Sequence, residues 1–80
     1  MPVVLRLGPW RFFFYSDEGG EPPHIHVAEG DKAAKFWLRN AELARSRGFR
    51  GYEIAALRKI VAEYAGTFEE AWNVHFDNPE

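Results

Sequence analysis

Two hairpin-turn signals constrain the first half of the chain more than any other feature. Gly8-Pro9 fits a type II′ turn, because glycine supplies the positive φ of the first central position and proline the fixed φ of the second. Gly30-Asp31 is a second two-residue signal. Apolar and polar residues alternate on both sides of each turn, which is typical of half-buried strands. The sequence therefore predicts two antiparallel β-hairpins before Asn40.

The turns also fix how the predicted strands pair. Leu7 should lie opposite Trp10 and Glu29 opposite Lys32, and apolar residues then meet apolar residues along each hairpin. The strands are predicted at residues 3–7, 10–16, 24–29 and 32–39. The remaining expected pairs are Leu5 with Phe12, Val3 with Phe14, Val27 with Ala34, His26 with Lys35, Ile25 with Phe36 and His24 with Trp37.

The second half of the chain has a helical period. Asn40 is expected to cap a short helix over residues 41–47, which Gly48 ends. A longer helix is predicted over residues 52–65, because its apolar residues recur every three or four positions.

A third helix is predicted over residues 67–76. Thr67 followed three residues later by Glu70 matches a capping box. The chain is thus expected to form a single α+β domain over residues 1–80. Its four-stranded antiparallel sheet would carry two to three C-terminal helices on one face.

Strand alternation divides the sheet into a covered and an open face. The core should contain Val3, Leu5, Leu7, Trp10, Phe12, Phe14, Ile25, Val27, Ala34, Phe36 and Leu38, with Ile54, Leu57, Val61 and Trp72 from the helices. The open face should carry Val4, Arg6, Arg11, Phe13, Tyr15, His24, His26, Lys35, Trp37 and Arg39. This second set is basic and aromatic and contains no carboxylate, although the whole chain has a net charge of −2.

Composition excludes several classes of site and suggests a location. The chain has no cysteine, so it can form neither disulfides nor thiolate metal sites. No apolar run approaches the ~20 residues of a membrane span, and the N-terminus lacks the pattern of a signal peptide. We expect a bacterial cytoplasmic protein without membrane contact.

The pair His24 and His26 is the most specific local feature. Two residues apart on a strand, their imidazoles project to the same side, about 6–7 Å apart along it. Such a pair can act as general acid and base, bind an anion when protonated, or provide two metal ligands. A purely structural role competes with these, in which His24 caps the proline-rich loop and His26 packs beside Trp37. A metal would need a third ligand, for which His75, Glu21 and Asp17 are candidates, and no cofactor is predicted.

A second basic cluster follows the predicted short helix. Arg45, Arg47 and Arg50 surround Gly48-Phe49. Cations are common at a helix C-terminus, where they interact favourably with its dipole. They could also extend a phosphate-binding surface.

Several segments of the chain together resemble a known family. They are Leu5-Arg6-Leu7-Gly8-Pro9, Arg11-Phe12-Phe13-Phe14-Tyr15-Ser16, Glu21-Pro22-Pro23-His24-Ile25-His26-Val27, Ala34-Lys35-Phe36-Trp37-Leu38, Gly48-Phe49 and Ala71-Trp72. This pattern resembles the small bacterial family catalogued as domain of unknown function 4160 (DUF4160). The resemblance departs at Arg50-Gly51, where similar chains tend to have a serine that caps the long helix.

The resemblance implies no established activity. Members of that family are typically encoded beside another small protein, in the manner of toxin–antitoxin pairs. The resemblance therefore implies a protein partner encoded by the adjacent gene and a toxin-like action on RNA.

One hypothesis makes the protein a ribonuclease. His24 and His26 would share the general base and acid roles on a ribose 2′-hydroxyl and its leaving oxygen, and Lys35 would stabilise the developing charge. The supporting groups would be Arg39 or Arg11 for the charge, and Trp37 or Tyr15 for stacking on a base.

The other hypothesis is a binding module without chemistry. An aromatic and basic face suits a protein partner as well as RNA, because tryptophan, tyrosine and arginine dominate interface hot spots. The expected binding residues are Arg6, Arg11, Tyr15, Trp37 and Arg39.

Overall fold

The computed structural model describes residues 3–15 and 19–76. Within them the chain forms five antiparallel strands in the order β1-β2-β3-β4-β5, followed by two helices. The strands are β1 (Val3–Leu7), β2 (Trp10–Phe13), β3 (His24–Glu29), β4 (Lys32–Trp37) and β5 (Leu43–Arg47), and the helices are α1 (Gly51–Glu63) and α2 (Ala65–His75). The α+β class with an antiparallel sheet is confirmed, and the sheet has one strand more than the alternation predicted.

The central hairpin has the predicted register. All six pairs between β3 and β4 are observed, from Glu29 opposite Lys32 to His24 opposite Trp37. Gly30 has a φ of +59°, the left-handed conformation that made this turn predictable from glycine.

The first hairpin follows the prediction only near its turn. Leu7 faces Trp10 and Leu5 faces Phe12, but Val3 faces Phe13 rather than the predicted Phe14. Two steps along β1 match one step along β2, so Val4 is the additional residue of a β-bulge. Because the bulge turns β1, Val4 packs against the core instead of lying on the open face.

The predicted helix over residues 41–47 is wrong. These residues contain β5, which pairs with β4 and forms an edge of the sheet. The Asn40 side chain does not begin a helix. Its Oδ1 accepts the Glu42 backbone N–H at 3.0 Å and so stabilises a turn. Ala41 takes a φ of +57° in that turn, which reverses the chain toward β4.

The two helices begin at other residues than predicted. At the start of α1, a carboxylate oxygen of Glu53 accepts the Arg50 backbone N–H at 2.7 Å. Tyr64 alone separates α1 from α2, so Thr67 and Glu70 lie inside α2 and form no capping box. Gly66 also lies inside α2 and does not separate the helices.

Both helices cover one face of the sheet. Leu57 and Val61 of α1 and Phe68 and Trp72 of α2 join the sheet residues in one buried cluster. All predicted helix core residues are buried except Ile54, which is half-buried against that cluster. The sheet residues of the cluster are Phe12, Phe14, Ile25, Val27, Ala34, Phe36 and Leu38, with Ala41 from the turn before β5.

An ion pair joins the sheet to α1. The Lys32 ammonium on β4 lies 2.9 Å from a carboxylate oxygen of Glu53. The hydrogen bond from the Arg50 backbone, together with Lys32, holds the pKa of Glu53 below its ordinary value. The hydrogen bond to Glu53 raises the pKa of Lys32.

Neither helix in the described part of the chain is long and apolar enough to cross a membrane.

Candidate functional site

The face of the sheet opposite the helices carries two rows of side chains that run across the strands. The register places Phe13, His26, Lys35 and Arg45 side by side on β2 to β5. The neighbouring row places Arg6, Arg11, Ala28, Ala33 and Arg47 side by side on β1 to β5.

The second row forms a shallow trough with cationic sides. We call Arg11, Ala28, Ala33 and Arg47 the arginine trough. Its floor is two alanines, and Arg11 and Arg47 lie three strand spacings apart, about 14 Å. Ala33 is partly exposed between the arginines, whereas Ala28 is only 8% exposed.

A cavity of about 210 Å³ adjoins the trough at β5. Its charged and aromatic lining groups come from three strands and from the segment after β2. The lining residues are Tyr15, His26, Ala33, Ala34, Lys35, Arg45, Ser46 and Arg47. We call this the β5 cavity.

Lys35 is the least exposed cation of the β5 cavity. Its side chain is 7% exposed, and its ammonium lies 2.7 Å from a carboxylate oxygen of Glu21. The same ammonium lies 4.8 Å from the centre of the Trp37 ring, within cation–π distance. Glu21 precedes β3, and its side chain is 48% exposed.

His26 lines the β5 cavity although it is only 7% exposed. Its ring stacks on Phe13 at a centroid distance of 5.5 Å and meets Tyr15 edge to face at 4.7 Å. Two aromatic neighbours therefore fix the orientation of the imidazole.

His24 is fully buried at the end of β3. Its Nδ1 lies 2.9 Å from the Pro22 carbonyl oxygen, and because a carbonyl only accepts, this nitrogen carries the hydrogen. The same atom lies 3.8 Å from the Glu21 carboxylate. The ring centroid is 5.1 Å from that of His26 and 4.9 Å from that of Trp72. The structure thus brings the two histidines into contact. His26 lines the cavity, whereas His24 is buried next to His26 and does not line it.

A sequence model of one family matches residues 10–73, described as Domain of unknown function (DUF4160). The chain belongs to this family. No curated protein and no solved structure matches the chain.

The match to DUF4160 covers most of the candidate site. The β5 cavity and four of the five strands of the second row lie within residues 10–73, along with α1 and most of α2. Arg6, on β1, lies outside that match.

The remaining predicted site residues of this DUF4160 domain lie at different distances from the cavity. Tyr15 lines it and is 44% exposed. Arg6 and Arg11 lie in the second row, toward β1. Trp37 is half-buried beside Lys35. Arg39 lies in the exposed turn after β4, because β4 ends at Trp37 and not at Arg39 as predicted.

Arg45 and Arg47 were missed as members of the open face. The sequence predicts them at a helix end, from which they could extend a phosphate-binding surface, whereas β5 places them opposite Lys35 and Ala33. The alternation of Arg45, Ser46 and Arg47 is a period-two signal, but it spans only three residues.

Most described carboxylates lie away from the open face. Glu53, Glu63, Glu69 and Glu70 are on the two helices, and Glu29 accepts a hydrogen bond from the Trp10 indole at 3.1 Å. Glu21 is the described carboxylate that contacts a cavity cation. The open face is therefore basic, whereas α2 carries two carboxylates and α1 balances Glu53 and Glu63 with Arg58 and Lys59.

Metal ligands do not assemble in the described residues. No group of three histidine, aspartate or glutamate side chains there is placed to hold an ion. Of the candidate third ligands, His75 lies at the end of α2 beside Phe14 and Phe76, and Asp17 lies outside the described residues.

Proposed function

We propose that this DUF4160 domain binds single-stranded RNA on the open face of its sheet, as the RNA-directed member of a toxin–antitoxin-like pair. The observation that carries the proposal is the convergence of Lys35, Arg45 and Arg47 with the exposed ring of Tyr15 around the β5 cavity. Phosphates are bound by arginine and lysine, whereas bases stack on flat aromatic side chains.

The arginine trough favours an extended single strand. Arg11 and Arg47 stand at its two ends, with two alanines between them. Stacking on an aromatic side chain contributes about 1–3 kcal/mol per base and tolerates any sequence. A base on Tyr15 would bring the adjoining phosphates toward Arg45 and Arg47.

Charge separation supports an oriented approach of the ligand. A polyanion is repelled by the carboxylates of α2 and attracted by the open face. The net charge of −2 therefore does not oppose binding at this face.

Cleavage of the bound RNA is the second candidate function. His26 lines the same cavity as Lys35, so a ribose seated there would meet an imidazole and an ammonium. His26 would take the proton of the 2′-hydroxyl, and Lys35 would stabilise the charge that develops on the phosphate. His24 would hold the His26 ring in place.

The test is binding of a fluorescent single-stranded RNA oligonucleotide, followed by anisotropy. The double substitution Arg45→Ala/Arg47→Ala should weaken binding strongly. The slope of log affinity against log salt should fall by about 1.4, since each lost contact to a single strand removes about 0.7.

The matched control removes two cations from α1. Arg58→Ala/Lys59→Ala removes the same two positive charges from the helix side of the molecule. It should leave both the RNA affinity and the salt slope unchanged. If both double variants weaken RNA binding equally, net charge alone explains the effect, and the open face is not the RNA-binding surface. If RNA does not bind, the partner encoded by the adjacent gene becomes the preferred ligand of this face.

A further inference from the structure

The contact between Glu21 and Lys35 gives a cation of the β5 cavity an anionic partner that is not itself one of the lining residues. Lys35 is fixed in the centre of β4, nearly buried, and lies directly opposite Arg45. Two cations side by side repel each other, and a buried ammonium needs a partner. The Glu21 carboxylate supplies the negative charge at 2.7 Å.

The Glu21 side chain is more exposed to solvent than the lysine that it neutralises. Glu21 lies outside the strands, and half of its side chain is exposed. The residues after it are anchored, since the Pro22 carbonyl accepts from His24 and the Pro23 carbonyl accepts the Leu38 N–H at 3.0 Å. Rotation of the Glu21 side chain leaves both of these hydrogen bonds in place.

We infer that Glu21 is an internal competitor for Lys35, which together with Arg45 forms a phosphate-binding site at the β5 cavity. The inference rests on the proposed function and deepens it, because it assigns one phosphate group of the ligand to one place in the sheet. An incoming phosphate displaces the carboxylate and takes over its charge. Tyr15 and Arg47 line the same cavity and contact the rest of the ligand.

The inference predicts that removing the competitor improves binding. Glu21→Gln keeps the size of the side chain and removes its charge. The variant should bind single-stranded RNA about tenfold more tightly than the wild type, which is the gain for a site that is open about a tenth of the time. It should also melt at a lower temperature, and inorganic phosphate should restore this loss more than chloride does at equal ionic strength.

The matched control is Glu53→Gln. It removes the carboxylate of the other described lysine–glutamate pair, between Lys32 and α1, neither of whose residues lines the cavity. This variant should also melt earlier, but phosphate and chloride should then act alike, and RNA affinity should not rise. Equal responses of the two variants to phosphate and to RNA would overturn the inference.

Lys35→Met keeps the test decisive if Glu21→Gln does not fold. It removes the buried charge, and the Glu21 carboxylate that is left behind is half-exposed to water. The melting temperature of the wild type should rise more in phosphate than in chloride, and Lys35→Met should lose that difference. Persistence of the difference in Lys35→Met would overturn the inference.

The outcomes separate this inference from the proposed function. If phosphate stabilises the protein specifically but RNA does not bind, the anion site is supported and RNA is not its ligand. RNA binding that depends on Arg45 and Arg47 but is unaffected by Glu21→Gln would retain the proposed function and refute the internal competitor.

Discussion

Lys35 and Arg45 lie directly opposite each other on β4 and β5, so two cationic side chains leave the same face of neighbouring strands. Like charges in this arrangement destabilise a sheet. Glu21 reduces the repulsion by pairing with Lys35. A positive charge at position 45 therefore lowers stability but favours anion binding.

Reversing the charge at this position should separate the two properties. Arg45→Glu places a carboxylate opposite Lys35 and should raise the free energy of unfolding by about 0.2–1 kcal/mol, the range for opposite charges across strands. It should also abolish RNA binding, because the cavity loses a cation and gains an anion. Urea unfolding and RNA anisotropy measure the two effects.

Arg58→Glu is the control for Arg45→Glu. It changes the net charge equally on α1, where Arg58 lies 3.5 Å from Glu42 in an exposed pair. Exposed pairs contribute little, so stability should change by less than about 1 kcal/mol and RNA binding should persist. A more weakly folded Arg45→Glu protein would contradict the predicted repulsion.

The centre of the core should tolerate no truncation. Phe36 is fully buried in β4, so Phe36→Ala should lower the free energy of unfolding by about 3–5 kcal/mol. A domain of 80 residues has roughly 4–12 kcal/mol in total. Leu43, the partner of Phe36 on β5, is 39% exposed, and Leu43→Ala should have a clearly smaller effect. Equal losses in urea unfolding would contradict the assigned core.

The fold could be predicted where local geometry determines it. Gly30-Asp31 admits a two-residue turn, and that turn alone fixes all six pairs of β3 with β4. β5 could not be found this way, because a turn of several residues separates it from β4 and Ala44 forms a bulge that shifts its register. Nothing local distinguishes an Asn40 that caps a helix from one that stabilises a turn.

The sequence could predict which side chains share the open face, but not how deeply each of them is buried. Alternation correctly placed His24, His26 and Lys35 on the same side of the sheet. It could not show that Glu21 and Trp72 contact His24. Glu21 precedes β3 and Trp72 belongs to α2, so neither is part of the strand alternation. Burial there depends on tertiary packing, which is why His24 is enclosed while Tyr15 is exposed.

The pair of Lys32 and Glu53 should make stability depend on pH at both extremes. The pKa of Glu53 is lowered in the folded protein, first by the Arg50 backbone hydrogen bond and then by Lys32. Its contribution is present above the ordinary value of 4.5 and is lost as pH falls through the folded pKa. The pKa of Lys32 is raised, so its contribution is present below 10.5 and is lost above the folded pKa.

Urea unfolding at neutral and acidic pH measures this dependence. Glu53→Gln should lower stability at neutral pH and should lose less than the wild type on acidification. Glu63→Gln, at the exposed end of α1, should follow the wild type. Identical acid dependence of wild type and Glu53→Gln would show that the pair does not link α1 to the sheet.

The ribonuclease hypothesis makes a separate prediction about the two histidines. His26→Ala should abolish cleavage of a single-stranded RNA, because His26 is the imidazole that reaches the cavity. His24→Ala should also abolish or sharply reduce cleavage, since the His24 ring contacts His26 from behind. His75→Ala is the matched control, because His75 lies at the exposed end of α2, outside the lining of the β5 cavity. Circular dichroism must show that each variant is folded, and RNA anisotropy must show that each still binds.

Gel electrophoresis of RNA incubated with each protein, with and without a chelator, measures cleavage over a range of pH. Catalysis with His26 as the base and the Lys35 ammonium as the acid predicts a bell-shaped pH profile for the wild type and activity that persists in chelator. It predicts 2′,3′-cyclic phosphate ends, because His26 takes the proton of the 2′-oxygen as that oxygen attacks the neighbouring phosphorus, and the 5′-oxygen leaves with a proton from the Lys35 ammonium. Wild-type protein that binds RNA and leaves it intact at every pH would reject catalysis and leave binding as the function of the face. Cleavage that survives His26→Ala would instead move the base to another residue of the cavity, with Tyr15 the first to be substituted.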